Sequence, residues 1–374
     1  MESIIKAAVE RGASDVHIKA GDVFRARIEG ELKPLTKQRL TPEQTKSIAL
    51  RFIVSEEVRS RIDQIQDYDC SWGSPGVGRF RVNILRQRSS FMIVMRVIPF
   101  EVPTLDKLQL PRVLETIAGF ERGIVLVTGP TGSGKSATMA GLLNHINTTS
   151  KRHIVTLEDP IEFLHRDLNS SVTQREIGAD TVSFSAGLKA AMRQDCNVIM
   201  IDQLPDLLTV DTALKVGEMG HFLLSTLPTP DATTTIARLV AMFPPDEQEI
   251  ARQRLANTLM AIVSQRLLPR ADGTGRCPVC EVLICTPEVS DLISDRARVG
   301  DLRDFIAKGR NENGMQTFDQ HLTDLVAGKV ITLEAAKIAA NDPAAFQDRF
   351  VEGSESLSAA REPREPDHAA GQES

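Results

Sequence analysis

Aromatic residues are scarce in this chain of 374 residues: they make up 4% of it, with one tryptophan and one tyrosine. That scarcity argues against the ring platforms on which single-stranded nucleic acids stack. Basic residues are not in excess either. Lys plus Arg number 44 against 50 for Asp plus Glu, a net charge of −6, so non-specific nucleic-acid binding lacks an electrostatic basis outside a local groove. No direct nucleic-acid binding is expected. The five cysteines, Cys70, Cys196, Cys277, Cys280 and Cys285, are too few and oddly numbered for a disulfide framework. No apolar run approaches the ~20 residues of a bilayer-spanning helix, and the segment from Met1 to Lys6 lacks the basic and apolar regions of a secretory signal. A cytoplasmic protein is expected, one that meets a membrane only through a partner. What is present is ordinary for a globular protein. Hydrophobic residues at 41% and charged residues at 25% exclude global disorder and collagen, and the length has room for two domains at ~150 residues each.

The first part, residues 1–98, reads as a small α+β domain. Ile4, Ile5 and Val9 have helical spacing, short alternating runs follow at 15–18 and 24–28, and Thr41-Pro42-Glu43 opens a second helix. Strands return at 79–86 and 91–98. A stiff linker is expected over 99–103, where two prolines fix φ and remove donors. Over 104–343 the pattern changes to buried strands alternating with helices, the grammar of a parallel sheet. Strands are expected at 123–128, 154–157, 198–201 and 222–227, with helices at 185–193 and 248–264. From Glu352 on large apolar residues nearly vanish, and the segment 344–374 is expected to be a disordered tail. Cys277-Pro278-Val279-Cys280 has no second such pair to complete a tetrahedral zinc set, and 280–285 reads as a strand.

Gly129-Pro130-Thr131-Gly132-Ser133-Gly134-Lys135-Ser136 matches G-x-x-x-x-G-K-[ST] directly after a buried strand and before a helix. The chemistry needs that order. The glycines let backbone amides turn inward around a β-phosphate, and the helix N-terminus adds positive potential. Lys135 reaches the β- and γ-phosphates and the Ser136 hydroxyl takes Mg²⁺. ATP with Mg²⁺ is the expected ligand.

Beyond this loop, the chain resembles the PilT/PilU retraction ATPases of type IV pili, within the type II secretion ATPase superfamily. The resemblance spans roughly residues 1–340. It is carried by Ala13-Ser14-Asp15-Val16-His17, Arg79-Phe80-Arg81-Val82-Asn83, the phosphate loop and Leu157-Glu158-Asp159-Pro160-Ile161-Glu162-Phe163. Gln174-Arg175-Glu176-Ile177-Gly178, Arg193-Gln194-Asp195, Gly220-His221 and Gln265-Arg266-Leu267 add to it. The resemblance implies an α/β fold: a RecA-like P-loop NTPase core with a smaller, PAS-like N-terminal α+β domain. It also implies a homo-hexamer, or a mixed ring with a paralogue, acting on a pilus platform protein at the inner membrane to drive twitching motility. His221 matches the first histidine of the family's histidine box and becomes a candidate nucleotide sensor.

The residues themselves leave choices open. Glu158, Asp159 and Glu162 follow a strand end, where carboxylates can hold Mg²⁺ through water, orient the attacking water, or simply be solvated. Arg79 and Arg81 alternate on one strand and share a face. An arginine such as Arg81 can stabilise phosphoryl-transfer charge across a subunit boundary, or belong to an ordinary basic face.

The departures from the family pattern bear on catalysis. Where relatives read glycine-glutamate-methionine-arginine-aspartate after four apolar residues, this chain has Asp202-Gln203-Leu204-Pro205-Asp206. Pro228 stands in place of the second box histidine, and Ala137 where a second hydroxyl follows the phosphate loop. An amide at Gln203 cannot take a proton as a carboxylate does, although it can orient water. Asp202 can hold Mg²⁺ beside Ser136. Glu158 and Gln203 are therefore the candidate water-positioning residues, and impaired hydrolysis is expected. The alternatives are a non-hydrolysing regulatory partner of an active retraction ATPase, and a motor for secretion or DNA uptake. The lack of the long N-terminal region found in assembly ATPases argues against a role in pilus extension.

Overall fold

The computed structural model describes residues 1–98, 101–341, 343–344 and 346–347. Pro99 and Phe100 of the expected linker, and residues 345 and 348–374 of the expected tail 344–374, lie outside the described residues. Phe346, which that tail was expected to include, is instead buried in a cluster with Phe318 and Leu322, because one large apolar side chain there still finds a core to join. The chain divides into two compact units that interleave in sequence. One takes in Met1–Leu105, Ala118–Gly123 and Ser136–Ser225, the other Asp106–Ile117, Ile124–Lys135 and the chain from Thr226 on.

The first unit opens with a six-stranded antiparallel sheet: β1 (Asp15–Lys19), β2 (Arg25–Ile28), β3 (Glu31–Pro34), β4 (Asp67–Ser74), β5 (Gly78–Gln87) and β6 (Ser90–Val97), in the order β3-β2-β1-β6-β5-β4. Its strands alternate as half-buried strands must. On β5, Phe80, Val82 and Ile84 are fully buried while Arg79, Arg81 and Asn83 face the other way. The helix Pro42–Phe52 starts where Thr41 predicts. The Thr41 hydroxyl accepts from Gln44 N at 3.3 Å and the Gln44 side chain accepts from Thr41 N at 2.9 Å, a capping box with proline in the first turn. Its Ala49 and Phe52 join the sheet core, where Phe52 meets Trp72 edge-on at 5.3 Å between centroids.

Seven further strands follow along the chain: β7 (Gly123–Thr128), β8 (His153–Glu158), β9 (Ser171–Glu176), β10 (Val198–Ile201), β11 (Phe222–Leu227), β12 (Leu259–Pro269) and β13 (Arg276–Ile284). Within the first unit, β9, β8, β10 and β11 pair in that order, all parallel. β10 and β11 are buried at every position, and β8 at all but His153. Near-continuous burial of this kind marks strands covered on both faces. The helix Leu207–Glu218 begins at Asp206, whose carboxylate accepts from Thr209 N at 2.8 Å.

In the second unit β7 pairs parallel to β12, and β12 antiparallel to β13. The helix expected over 248–264 stops at Thr258, and Leu259 onward is β12. A fully apolar run such as Leu-Met-Ala-Ile-Val carries no periodicity that separates a buried helix from a buried strand, and its β-branched Ile262 and Val263 favour the strand. Residues 280–284 are strand, as expected. Consecutive β12 residues serve opposite sides. Gln265 Nε2 donates to Ser133 O at 2.7 Å, whereas the Arg266 guanidinium lies 3.9 Å from the Phe318 ring centroid and donates to Asn341 Oδ1 at 2.9 Å. No helix among the described residues is long and apolar enough to cross a membrane.

Glu281 on β13 is 4% exposed and accepts from Ala232 N at 3.0 Å, at the start of the helix Ala232–Ala241. Burial pushes its carboxyl up to about 7, with Asp231 adding to the shift and the Ala232 amide and Arg266 opposing it. A folded-state value above the unfolded one means stability is fully present below about pH 4 and is lost as pH rises through about 7. Glu281→Gln should therefore flatten the pH dependence. Relative to wild type it should gain on the order of 2 kcal/mol between pH 5 and 8, read from urea midpoints at the two pH values.

Candidate functional site

In the second unit, β7 runs into the phosphate loop. Gly129 has φ 144°, a conformation that L side chains rarely adopt, and a Cβ there would collide with the Gln265 carbonyl oxygen and come 2.6 Å from Ser133 Oγ. Gly134 has φ 90°, and a Cβ on it would lie 2.8 Å from Gln265 Nε2. The glycines are thus dictated by backbone shape and by the side chain of β12 behind the loop. Gly129 N donates to Leu227 O at 3.2 Å and Ser133 N to Pro130 O at 3.1 Å, which curls the loop over itself. Lys135 Nζ lies across the curl, donating to Gly129 O at 2.8 Å and Pro130 O at 3.1 Å. Pro130, Thr131 and Gly132 are exposed. The Ser133 hydroxyl is buried with no partner among the described residues. A cradle that admits no Cβ and an orphaned hydroxyl suit a loop built around an oxyanion. Lys135 is also the first residue of the 15-residue helix Lys135–Thr149, and Ser136 follows it in the chain.

In the first unit, Ser136, Glu158, Glu162, His165, Met200 and Asp202 line one cavity of about 20 Å³, room for a single water-sized species. The pair nominated for the metal, Ser136 and Asp202, therefore faces one space with Glu158. Mg²⁺ needs few protein ligands when phosphate oxygens and water supply the rest, so a hydroxyl and one carboxylate fit it. Parallel pairing explains the convergence: Glu158 closes β8, Asp202 follows β10, and Asp202 N donates to Leu157 O at 2.9 Å. Glu158 is 6% exposed, and its Oε1 accepts from Thr156 Oγ1 at 2.6 Å and Gln174 Nε2 at 2.9 Å. Burial raises its pKa, and the two hydrogen bonds oppose that without cancelling it. His165, on the same cavity, is held neutral by burial at about 4.

Other nominated residues lie apart from this cavity. Gln203 is exposed in the loop between β10 and the helix Leu207–Glu218. His221 precedes β11, at the opposite end of the parallel strands from Glu158 and Asp202, and its Nδ1 is 2.9 Å from Cys196 O. Arg81 is exposed and lines a second cavity of about 240 Å³ with Arg96, Ile98, Pro160, Glu162 and Phe163, next to the segment that follows Glu158. It stands directly opposite Arg96 in the sheet register, and Arg96 is itself paired with Asp15 Oδ1 at 3.2 Å. Arg79, on the same face, is committed otherwise: its Nη2 pairs with Glu176 Oε2 at 2.9 Å. Three residues next to the nominated ones carry work that spacing alone does not reveal. Thr156 and Gln174 hold Glu158, and Gln265 holds the phosphate loop. Gln174 and Gln265 stand in stretches shared with the family, which was their one visible signal.

Loop, flanking buried strand and strand-end acids define a P-loop nucleoside-triphosphatase core of the RecA-like class, joined to a smaller N-terminal α+β sheet domain. The sequence profile described as "Type II/IV secretion system protein" matches residues 1–337, and the chain belongs to that family. It is 39% identical over 337 residues to the type IV pilus ATPase PilU of Pseudomonas aeruginosa, covering 90% of this chain and 87% of the relative. To the type IV pilus retraction ATPase PilT of the same organism it is 37% identical over 343 residues, covering 92% and 98%. Among solved structures, the pilus retraction motor PilT with bound ADP superposes with a TM-score of 0.81 at 42% identity, over 92% of this chain and 97% of that one. The ATPase DotB of Legionella pneumophila gives 0.79 at 25% identity, over 91% and 94%.

Proposed function

We propose that this chain is an ATP-binding subunit of a hexameric type IV pilus retraction motor, working at the cytoplasmic face of the inner membrane through a platform protein, with attenuated hydrolysis. Similarity to retraction ATPases over nine-tenths of the chain supports the motor. The observation that carries attenuation is that the sequence keeps an intact phosphate loop yet has Gln203, Pro205 and Pro228 at the departing positions.

The amides of Thr131 to Ser136 would receive phosphate oxygens, and Lys135 would exchange its two carbonyl acceptors for the β- and γ-oxygens. Ser136 and Asp202 would hold Mg²⁺. Bound there, the metal supplies charge neutralisation at the phosphates. Glu158, fixed by Thr156 and Gln174, orients water, and Gln203 contributes at most an amide to the same task. Arg81 would bring positive charge to a nucleotide on a neighbouring subunit, and His221 would report nucleotide state along β11. The 1–98, 99–103 and 104–343 division would then correspond to an N-terminal domain, a linker and the motor core. Attenuation also favours the regulatory variant, in which this chain joins a ring with an active paralogue.

Calorimetric titration with Mg–ADP and Mg–ATP, alongside sedimentation velocity, tests the reading. Micromolar binding and a hexamer are expected. No adenine-nucleotide binding at millimolar concentration by folded protein removes the motor and the regulatory variant together.

A further inference from the structure

Strand β9 reaches the loop after Glu158 with two side chains from one face. Gln174 Nε2 donates to Glu158 Oε1 and to Phe163 O, both at 2.9 Å, and its Oε1 accepts from His165 N at 2.9 Å. Glu176 Oε2 accepts from Ile161 N at 3.3 Å. Together they grip Ile161, Phe163 and His165 and fix the Glu158 carboxylate. The parallel register sets this up, placing Thr156 beside Gln174 and Glu158 beside Glu176.

The Glu176 grip is shared. Its Oε2 also takes Arg79 Nη2 at 2.9 Å, from β5 of the N-terminal sheet, and Arg79 Nη2 further donates to Ser71 Oγ at 3.0 Å. Glu176 is buried, its side chain 6% exposed, so it depends on these two donors. Arg79 Nε is buried with no acceptor among the described residues, so the guanidinium is only partly satisfied where it sits. One carboxylate oxygen thus serves a loop amide and a side chain of the N-terminal sheet at once.

We propose that Gln174 and Glu176 are positioning residues for Glu158 and its loop, and that Arg79 makes the order of that loop conditional on the N-terminal sheet. With Arg79 in place, the Glu176 carboxyl group is held toward Ile161 N. With Arg79 withdrawn, a buried carboxylate loses its cation, and the loop loses its first anchor while Gln174 retains the second. The consequence for catalysis rests on the reading of Glu158 given above; the coupling itself does not.

Hydrogen–deuterium exchange on the full chain decides it. In Arg79→Met and Glu176→Gln, the amide of Ile161 should exchange at least tenfold faster than in wild type. In Gln174→Leu, the amide of His165 should do the same. Arg79→Lys, which keeps the charge, should restore slow exchange at Ile161, a rescue that mere packing by the arginine stem would not give. Arg88→Met, at the turn of the same hairpin, should leave the loop unchanged. Exchange at Ile161 within twofold of wild type in Arg79→Met overturns the coupling, and so does loss of protection across the whole chain in both Arg79→Met and Arg79→Lys. Calorimetry on the same samples separates the two claims: failure to bind nucleotide counts against the proposed function alone.

Discussion

Lys135→Ala is expected to weaken Mg–ATP binding about 10- to 100-fold, the largest effect of any single substitution on affinity. Lys135 Nζ already lies over the loop, 2.8 Å from Gly129 O and 3.1 Å from Pro130 O, so little reorganisation separates it from a phosphate. A hydrogen bond to a charged group contributes about 1.5–3 kcal/mol, which is one to two decades in affinity. The remaining cradle is backbone and survives the change, so the thermal midpoint should stay within a few degrees. Lys135→Arg should not restore binding, because a planar fork on a longer stem does not replace a compact ammonium in a curled loop. Calorimetry of the three proteins checks this, and wild-type affinity in Lys135→Ala would mean that the loop holds no phosphate.

Gln203→Glu is expected to raise ATP turnover about 10²-fold with little change in affinity. Proton transfer by a positioned carboxylate commonly supplies 10²–10⁴-fold, and an amide forfeits it. Gln203 is exposed in the loop after β10 and outside the cavity lined by Glu158 and Asp202, so the gain requires that loop to bring the added carboxylate to the attacking water when nucleotide binds. Steady-state hydrolysis measures the change. Robust wild-type turnover that survives Gln203→Ala would instead leave the water to Glu158 alone.

Much of this fold was legible because its signals are local. Thr41-Pro42 announced a capped helix, the alternation of β5 announced which arginines share a face, and G-x-x-x-x-G-K-[ST] after Gly123–Thr128 fixed strand, loop and helix together. β12 was not legible, because a run buried on both sides has no period to read. The site divided the same way. Lys135 and Ser136 could be named from spacing, and Asp202 from its place after four apolar residues. Gln174, Thr156 and Gln265 act through contacts between strands, which sequence order does not encode. Arg79 and Arg81 are two residues apart on one face, yet one is spent on Glu176 and the other lines a cavity beside Pro160.

Gln265 and Arg266 sit back to back on β12, one clasping Ser133 and the other reaching Asn341 and the ring of Phe318. A stiff strand with a hand on each side cannot tilt for one without tilting for the other. Force borne at Phe318 and Asn341 would therefore loosen or tighten the clasp on Ser133, so mechanical load on such a subunit would register as a change in the shape of its phosphate loop.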